Sequence, residues 1–237
     1  MKKFLILCVL VVSVFVFLGG YAGATPYTFV TGIPDDGTQT WKGPLAETFR
    51  VGSSNLVLLE VGVYDDDGNG LARDITFEIW KGSNSLAGLG GTGVADSPFY
   101  TKTFSGTSNS SGNTHVFFDN PDITLNANHS YTILAYGYGP GEENFNTTQG
   151  GASLNDVTFS TLGLELGNSA FGSNSSVQQD PDNFTYGAGG VWRFGVANFK
   201  YTDTSSAPVP EPATMLLLGS GLLGLATFRK RKSFKQS

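Results

Sequence analysis

Asp65-Asp66-Asp67-Gly68-Asn69-Gly70 is a dense run of hard oxygen ligands. Asp65, Asp67 and Asn69 alternate and Gly70 follows, which is the first half of a D-x-[DN]-x-[DN]-G calcium loop, where side-chain oxygens converge on a hard cation and the glycine permits a sharp turn. The second half is missing. The twelfth position is Thr76 where a bidentate Glu would close the shell, and the flanks read as strands. Two readings stand open: Ca2+ held by Asp65, Asp67 and Asn69, with Asp74 or a backbone carbonyl completing the shell, or a polar turn built from residues that tolerate turn geometry. Mutual repulsion of three adjacent carboxylates favours a cation, and open solvent weakens that repulsion.

The other chemical signals are thin. His115 and His129 are the two histidines, in no metal-binding spacing, and the single cysteine, Cys8, lies in an apolar N-terminal run, so no thiol nucleophile and no disulfide framework remain beyond it. Gly88-x-Gly90-x-x-Gly93 matches a dinucleotide fingerprint in letters, but Pro98 follows and no helix opens to hold a pyrophosphate. A pair of acids at a hydrolase spacing of roughly 5–10 Å is invisible in sequence, and nothing selects one. No catalytic residue is assigned. Trp41, Trp80 and Trp192, with Tyr136, Tyr138, Tyr186 and Tyr201, would form a sugar-stacking surface if several faced outward. Alternation sets Trp80 beside Thr76 and Glu78, opposite Ile75, Phe77 and Ile79, so Trp80 is the ligand-stacking candidate; the competing reading is that it fills a core.

Strands must carry these residues. Thirty-two glycines and 18 phenylalanines in 237 residues, with many Ser, Thr and Asn and few good helix formers, suit strands and turns. Strand signals run over 46–51, 56–64, 74–81, 99–104, 114–118, 130–138, 157–162 and 191–201. In 56–64, Val57, Leu59, Val61 and Val63 are expected to share one face. The middle shows neither a helical period of useful length nor a fixed repeat, which leaves propellers and solenoids unsupported. The expected fold is all-β: an antiparallel β-sandwich, jelly-roll or immunoglobulin-like.

Charge divides the chain. All 20 carboxylates fall between residues 25 and 212 against seven cations there, a balance of −13, and the remaining cations flank the apolar ends. So acidic a body has no electrostatic footprint for nucleic acid. Residues 1–24 read as a secretory signal peptide: Lys2 and Lys3, an uncharged run from Phe4 to Leu18, and small residues ending in Ala22-Gly23-Ala24. Residues 25–204 are the sandwich ectodomain and 205–212 a Pro-rich linker, stiff and extended. Residues 213–228 are an uncharged run that would make a transmembrane helix about 24 Å long, shorter than a hydrocarbon core of about 30 Å. The basic tail, 229–237, opens with Arg229, Lys230, Arg231 and Lys232, which would hold its end at the cytoplasmic face.

Val209-Pro210-Glu211-Pro212, an apolar helix containing Gly219, Gly221 and Gly224, and the terminal Arg/Lys cluster resemble the PEP-CTERM sorting signal of Gram-negative bacteria. The resemblance implies a sorting motif at Pro210, Glu211 and Pro212, and processing by exosortase, an integral-membrane cysteine transpeptidase. It also implies the export machinery and signal peptidase as earlier partners, and a transient inner-membrane anchor before release to the cell surface or beyond. Carriers of this signal are often linked to extracellular polysaccharide and biofilm. A second resemblance covers about 90 residues in pieces: Phe49-Arg50-Val51, Leu58 to Asp65, Asp67 to Ala72, Phe77-Glu78-Ile79-Trp80 and Leu125 to Ile133 are similar to an uncharacterised β-sandwich ectodomain of such proteins. That domain often has a His before its F-x-I-W strand; Ile75 stands here, so no role of that His carries over. The functional expectation is a non-enzymatic structural or adhesive surface protein in contact with extracellular polysaccharide. The alternatives are a secreted carbohydrate-active hydrolase and a calcium-stabilised protein-binding module.

Overall fold

Apolar residues at every second position, broken by Gly, Asn, Asp and Pro, favour short pleated segments joined by turns. The computed structural model describes residues 25–33, 37, 39–82, 93–106, 115–146, 157–187, 193–204 and 220–221. Within the compact unit Thr25–Ser205 the strands are β1 (Tyr27–Thr28), β2 (Val30–Gly32), β3 (Leu45–Val51), β4 (Leu56–Tyr64), β5 (Ile75–Lys81), β6 (Tyr100–Phe104), β7 (His115–Leu125), β8 (Ser130–Tyr136), β9 (Thr158–Phe159), β10 (Leu164–Phe171), β11 (Thr185–Tyr186) and β12 (Ala197–Asp203). They form a four-stranded sheet in the order β1-β12-β4-β7, a six-stranded sheet in the order β11-β10-β3-β8-β5-β6, and a small β2-β9 pair. Neighbouring strands are antiparallel throughout.

The two large sheets share one core. Ile75, Phe77 and Ile79 of β5, Tyr131, Ile133 and Ala135 of β8, and Phe49 and Val51 of β3 meet Leu58, Val61 and Val63 of β4 and Phe199 and Tyr201 of β12. Phe29 stacks on Phe199 with ring centroids 4.7 Å apart, and Phe49 lies 5.4 Å from the same ring. Aromatics supply much of the apolar area that this core buries.

The structure corrects one face assignment. Leu56 and Leu58 are buried with Val61 and Val63, while Val57 and Leu59 are only half-buried. The register slips between Leu58 and Glu60 against β7, and the same place slips against β12. One extra residue, Leu59, switches the phase of the alternation, which is what a β-bulge does. The expected strand at 157–162 shrinks to β9, 193–196 are not strand, and β10 was not expected at all because Gly167, Asn168 and Ser169 interrupt its pattern around a further register shift.

Antiparallel pairing gives the sandwich two poles. Tyr64 and Ala197 end beside each other, so the β4–β5 loop and the segment before β12 share one pole, and the Tyr138 hydroxyl brings the loop after β8 to it by bonding the carbonyls of Tyr64 and Val196, each at 3.3 Å. In the second unit, Met1–Ala24 with Ser206–Ser237, only Ser220 and Gly221 are described, and both are helical. Among the described residues no helix is long and apolar enough to cross a membrane. The signal at 1–24, the glycine-rich stretch 83–92, Pro210, Glu211 and Pro212, the rest of the run 213–228, and Arg229, Lys230, Arg231 and Lys232 lie outside the described residues.

Candidate functional site

The β4–β5 loop gathers the acids that the sequence singled out, and its geometry follows from glycines at left-handed positions. Gly68 (φ 70°) and Gly70 (φ 104°) turn their amides inward. Asp65, fully buried, accepts from both: Oδ1 from Gly68 N–H at 3.0 Å and Oδ2 from Gly70 N–H at 2.9 Å. Asp67 accepts from the backbone N–H of Asn69 at 3.2 Å and also from the Asn69 side-chain amide. Asp66 accepts from Gly37 N–H and, at 3.2 Å, from Glu143 N–H. Glu142, from the loop after β8, clamps the turn from outside by accepting from Asp66 N–H at 3.0 Å and Ala72 N–H at 2.8 Å.

These carboxylates accept from backbone and side-chain amides, which is the bonding of the polar-turn reading. Among the described residues no three His, Cys, Asp or Glu side chains gather as metal ligands, and the Ca2+ reading of Asp65, Asp67 and Asn69 is left to a binding test. Burial pushes the Glu142 carboxyl up to about 6, against the pull of the Asp66 and Ala72 amides and with a further push from Asp65 and Asp66. Thermal melting of the exported protein is expected to move by less than about a degree between excess Ca2+ and excess chelator. A site at 100-fold its Kd would add roughly 2.7 kcal/mol, so a rise of several degrees with Ca2+ would decide for the metal.

Trp80 is also corrected. It stays on the face that alternation assigned, with Thr76 and Glu78, but is 2% exposed. Ala46, Leu134, Tyr136 and Ala170 lie on the same face of the six-stranded sheet, and Val94 and Phe184 roof it to complete a second, smaller apolar layer. A stretch around the 3-10 turn Pro181–Asn183 supplies the roof, pinned by Tyr186 donating to the Pro181 carbonyl at 3.0 Å. Trp80 Nε1–H donates to Glu78 Oε2 at 2.8 Å, while Glu78 Oε1 accepts from the Tyr136 hydroxyl at 3.1 Å and from Gln178 at 2.7 Å. Burial, then the Glu78 charge, push Tyr136 up to about 12, which keeps its proton on the bond to Glu78. Trp80 is therefore no open stacking platform. Trp41 is half-buried with its edge on Phe171, and Trp192 lies outside the described residues.

Sequence reasoning passed over Glu47. It sits on the inward face of β3, 1% exposed, where Ser169 Oγ donates to it at 2.7 Å, Phe194 N–H at 3.0 Å and Arg193 Nη1 at 3.2 Å. Burial raises its carboxyl, and Arg193, the Phe194 amide and Ser169 pull the other way. The signal available was a Glu at an inward position of an otherwise apolar alternation, Leu45-x-Glu47-x-Phe49-x-Val51.

On the outer face of the four-stranded sheet, Tyr27, Thr28, His115, Phe117, Asn198 and Lys200 line a groove of about 410 Å³. Its charges are spent internally: Lys200 meets Glu60 at 2.6 Å and lies 4.3 Å over the Phe117 ring. Burial pulls His115 down to about 4 and so keeps it neutral, and its Nε2–H donates to the Gly195 carbonyl at 2.8 Å. Asn198 mimics a strand neighbour by bonding both N–H and carbonyl of Val30. His129 is an exposed turn residue bonded to the Ala127 carbonyl.

Residues 208–232 match the PEP-CTERM protein-sorting motif. The chain thus carries the signal of an exported, exosortase-processed protein whose C-terminus is anchored in the membrane before processing. No curated protein and no solved structure matches it.

Proposed function

We propose that this protein works outside the cell as a non-enzymatic structural or adhesive component in contact with extracellular polysaccharide, delivered there by its two terminal signals. The observation that carries the reading is the sorting motif at residues 208–232 closing a chain whose preceding body is all-β and strongly acidic. Before processing, the basic cluster after the apolar run holds the tail at the cytoplasmic face while the acidic body lies outside, in keeping with the bias of Lys and Arg toward the cytoplasm.

The polar groups in the body favour holding over turnover. Glu47, Glu78 and Glu142 are all buried and each is occupied by amide, hydroxyl or guanidinium donors. Such networks rigidify a sandwich and give a general acid no open path to a substrate oxygen.

The test is to express the full chain in hosts with and without an exosortase and to follow its mass and location. With the enzyme, the expected product has lost both ends and is recovered at the surface or in the matrix; without it, the chain stays in the membrane with its tail. Soluble, uncleaved protein in the cytosol would overturn the proposal, and release of reducing sugar from a polysaccharide panel would replace its non-enzymatic part.

A further inference from the structure

We infer that the Arg73 guanidinium, fixed at the mouth of a polar depression, is a binding fork for the carboxylate of an acidic sugar unit; this rests on the polysaccharide reading above and names the ligand class and the site. Arg73 lies between the β4–β5 loop and β5. Its Nε–H donates to the Gly137 carbonyl at 3.0 Å. The guanidinium lies over Gly139, where a Cβ would come within 3.2 Å of Arg73 Cζ, so the glycine leaves a flat floor for the planar group. Gly137 itself has φ 109°, and a Cβ there would fall 2.3 Å from the Asp74 carbonyl oxygen. Only glycine places that accepting carbonyl where it stands.

One edge of the guanidinium is thereby used and the outer fork is not. Among the described residues Arg73 makes no ion pair, unlike Arg193 with Glu47 and Lys200 with Glu60. An arginine with an open fork is unexpected in a body with a balance of −13. It borders a depression of about 530 Å³ lined also by Asp74, Thr76, Thr103, Tyr136 and Ser176. Thr76 and Thr103 share a hydroxyl contact at 3.1 Å, and Tyr136 gives its proton to Glu78, which leaves its oxygen as an acceptor toward the depression.

A rigid planar fork matches the two oxygens of a carboxylate in a bidentate pair, and the arginine loses little freedom on binding because its Nε is already held. Four hydroxyl-bearing side chains around it suit a ring that carries hydroxyls of its own. A carboxylate on a polyhydroxylated ring, the uronic acid unit of an acidic polysaccharide, combines both. Asp74, exposed on the rim, opposes any anion, and this gives the test a second sign.

The processed, exported protein is titrated with polygalacturonate, with dextran of similar length and with polyglutamate, at low and physiological salt. Polygalacturonate is expected to bind best. Arg73→Gln should weaken it by about tenfold or more, the size of one charge-assisted bond. Arg73→Lys should recover only part of that, and Asp74→Asn should tighten binding. Melting curves of each variant check the fold, and Asp74→Asn leaves the Arg73 bond to Gly137 in place. Equal binding of dextran and polygalacturonate, unchanged in Arg73→Gln, overturns the fork and leaves the polysaccharide reading standing. Equal binding of polyglutamate overturns the sugar acid as ligand. Failure to bind either polysaccharide or the matrix of the producing cells overturns both.

Discussion

Replacing Arg193 with methionine is expected to lower the free energy of unfolding at pH 7 by about 3 kcal/mol, because it leaves a buried carboxylate without its cation. Glu47 is 1% exposed and its side chain and that of Arg193 lie 3.2 Å apart, so little water can take over. The loss should depend on pH with a definite sign. Burial already raises the Glu47 carboxyl above its ordinary 4.5 in the folded chain, with Arg193 opposing. A carboxyl raised on folding contributes stability that is fully present below its unfolded value and is lost as pH rises through its folded value. Removing Arg193 raises the folded value further. The deficit of the variant should therefore shrink on acidification toward pH 4 and widen above it, in urea unfolding at several pH values. A second change, Glu47→Gln, should restore part of the loss at pH 7. An equal deficit at every pH would mean that the stem of Arg193, whose guanidinium lies 5.7 Å over the Phe159 ring, matters through packing alone.

Trp80→Ala should cost about 3–5 kcal/mol, the range for truncating a large buried aromatic. The indole fills the second apolar layer and donates to Glu78, so the truncation opens a cavity and removes one of that carboxylate's donors together. Trp80→Phe separates the two effects: it keeps most of the volume and loses the N–H, at about 1–3 kcal/mol for an unmet partner. Wherever the variants remain folded, their affinity for polysaccharide should equal that of the parent. Reduced affinity with unchanged melting would show that the roof over Trp80 lifts and that the indole meets ligand after all.

The loop at 65–70 was legible as a sharp, glycine-dependent turn, and its chemistry was not. Asp65 and Asn69 stand at calcium-loop spacing, but the clamp on the turn comes from Glu142, whose bond to the Asp66 amide joins residues 76 positions apart. Trp80 was assigned to the correct face of β5, and the expected exposure failed because Gln178, 100 positions away from Glu78, belongs to the segment that covers that face. Arg73 carried no signal: an arginine after a polar loop is unremarkable until Gly137 and Gly139 bring a carbonyl and a flat floor beneath it.

Residue types and their order alone determined the strand class, the acid balance of the body and the sorting tail, since alternation, charge and a terminal apolar run with basic residues are properties of neighbours along the chain. Tertiary structure alone decided which outward face is roofed, where each carboxylate points, and where Leu59 shifts the phase of β4. Those outcomes depend on which distant segments meet, and a period-two pattern says that a face exists without saying what lies across from it.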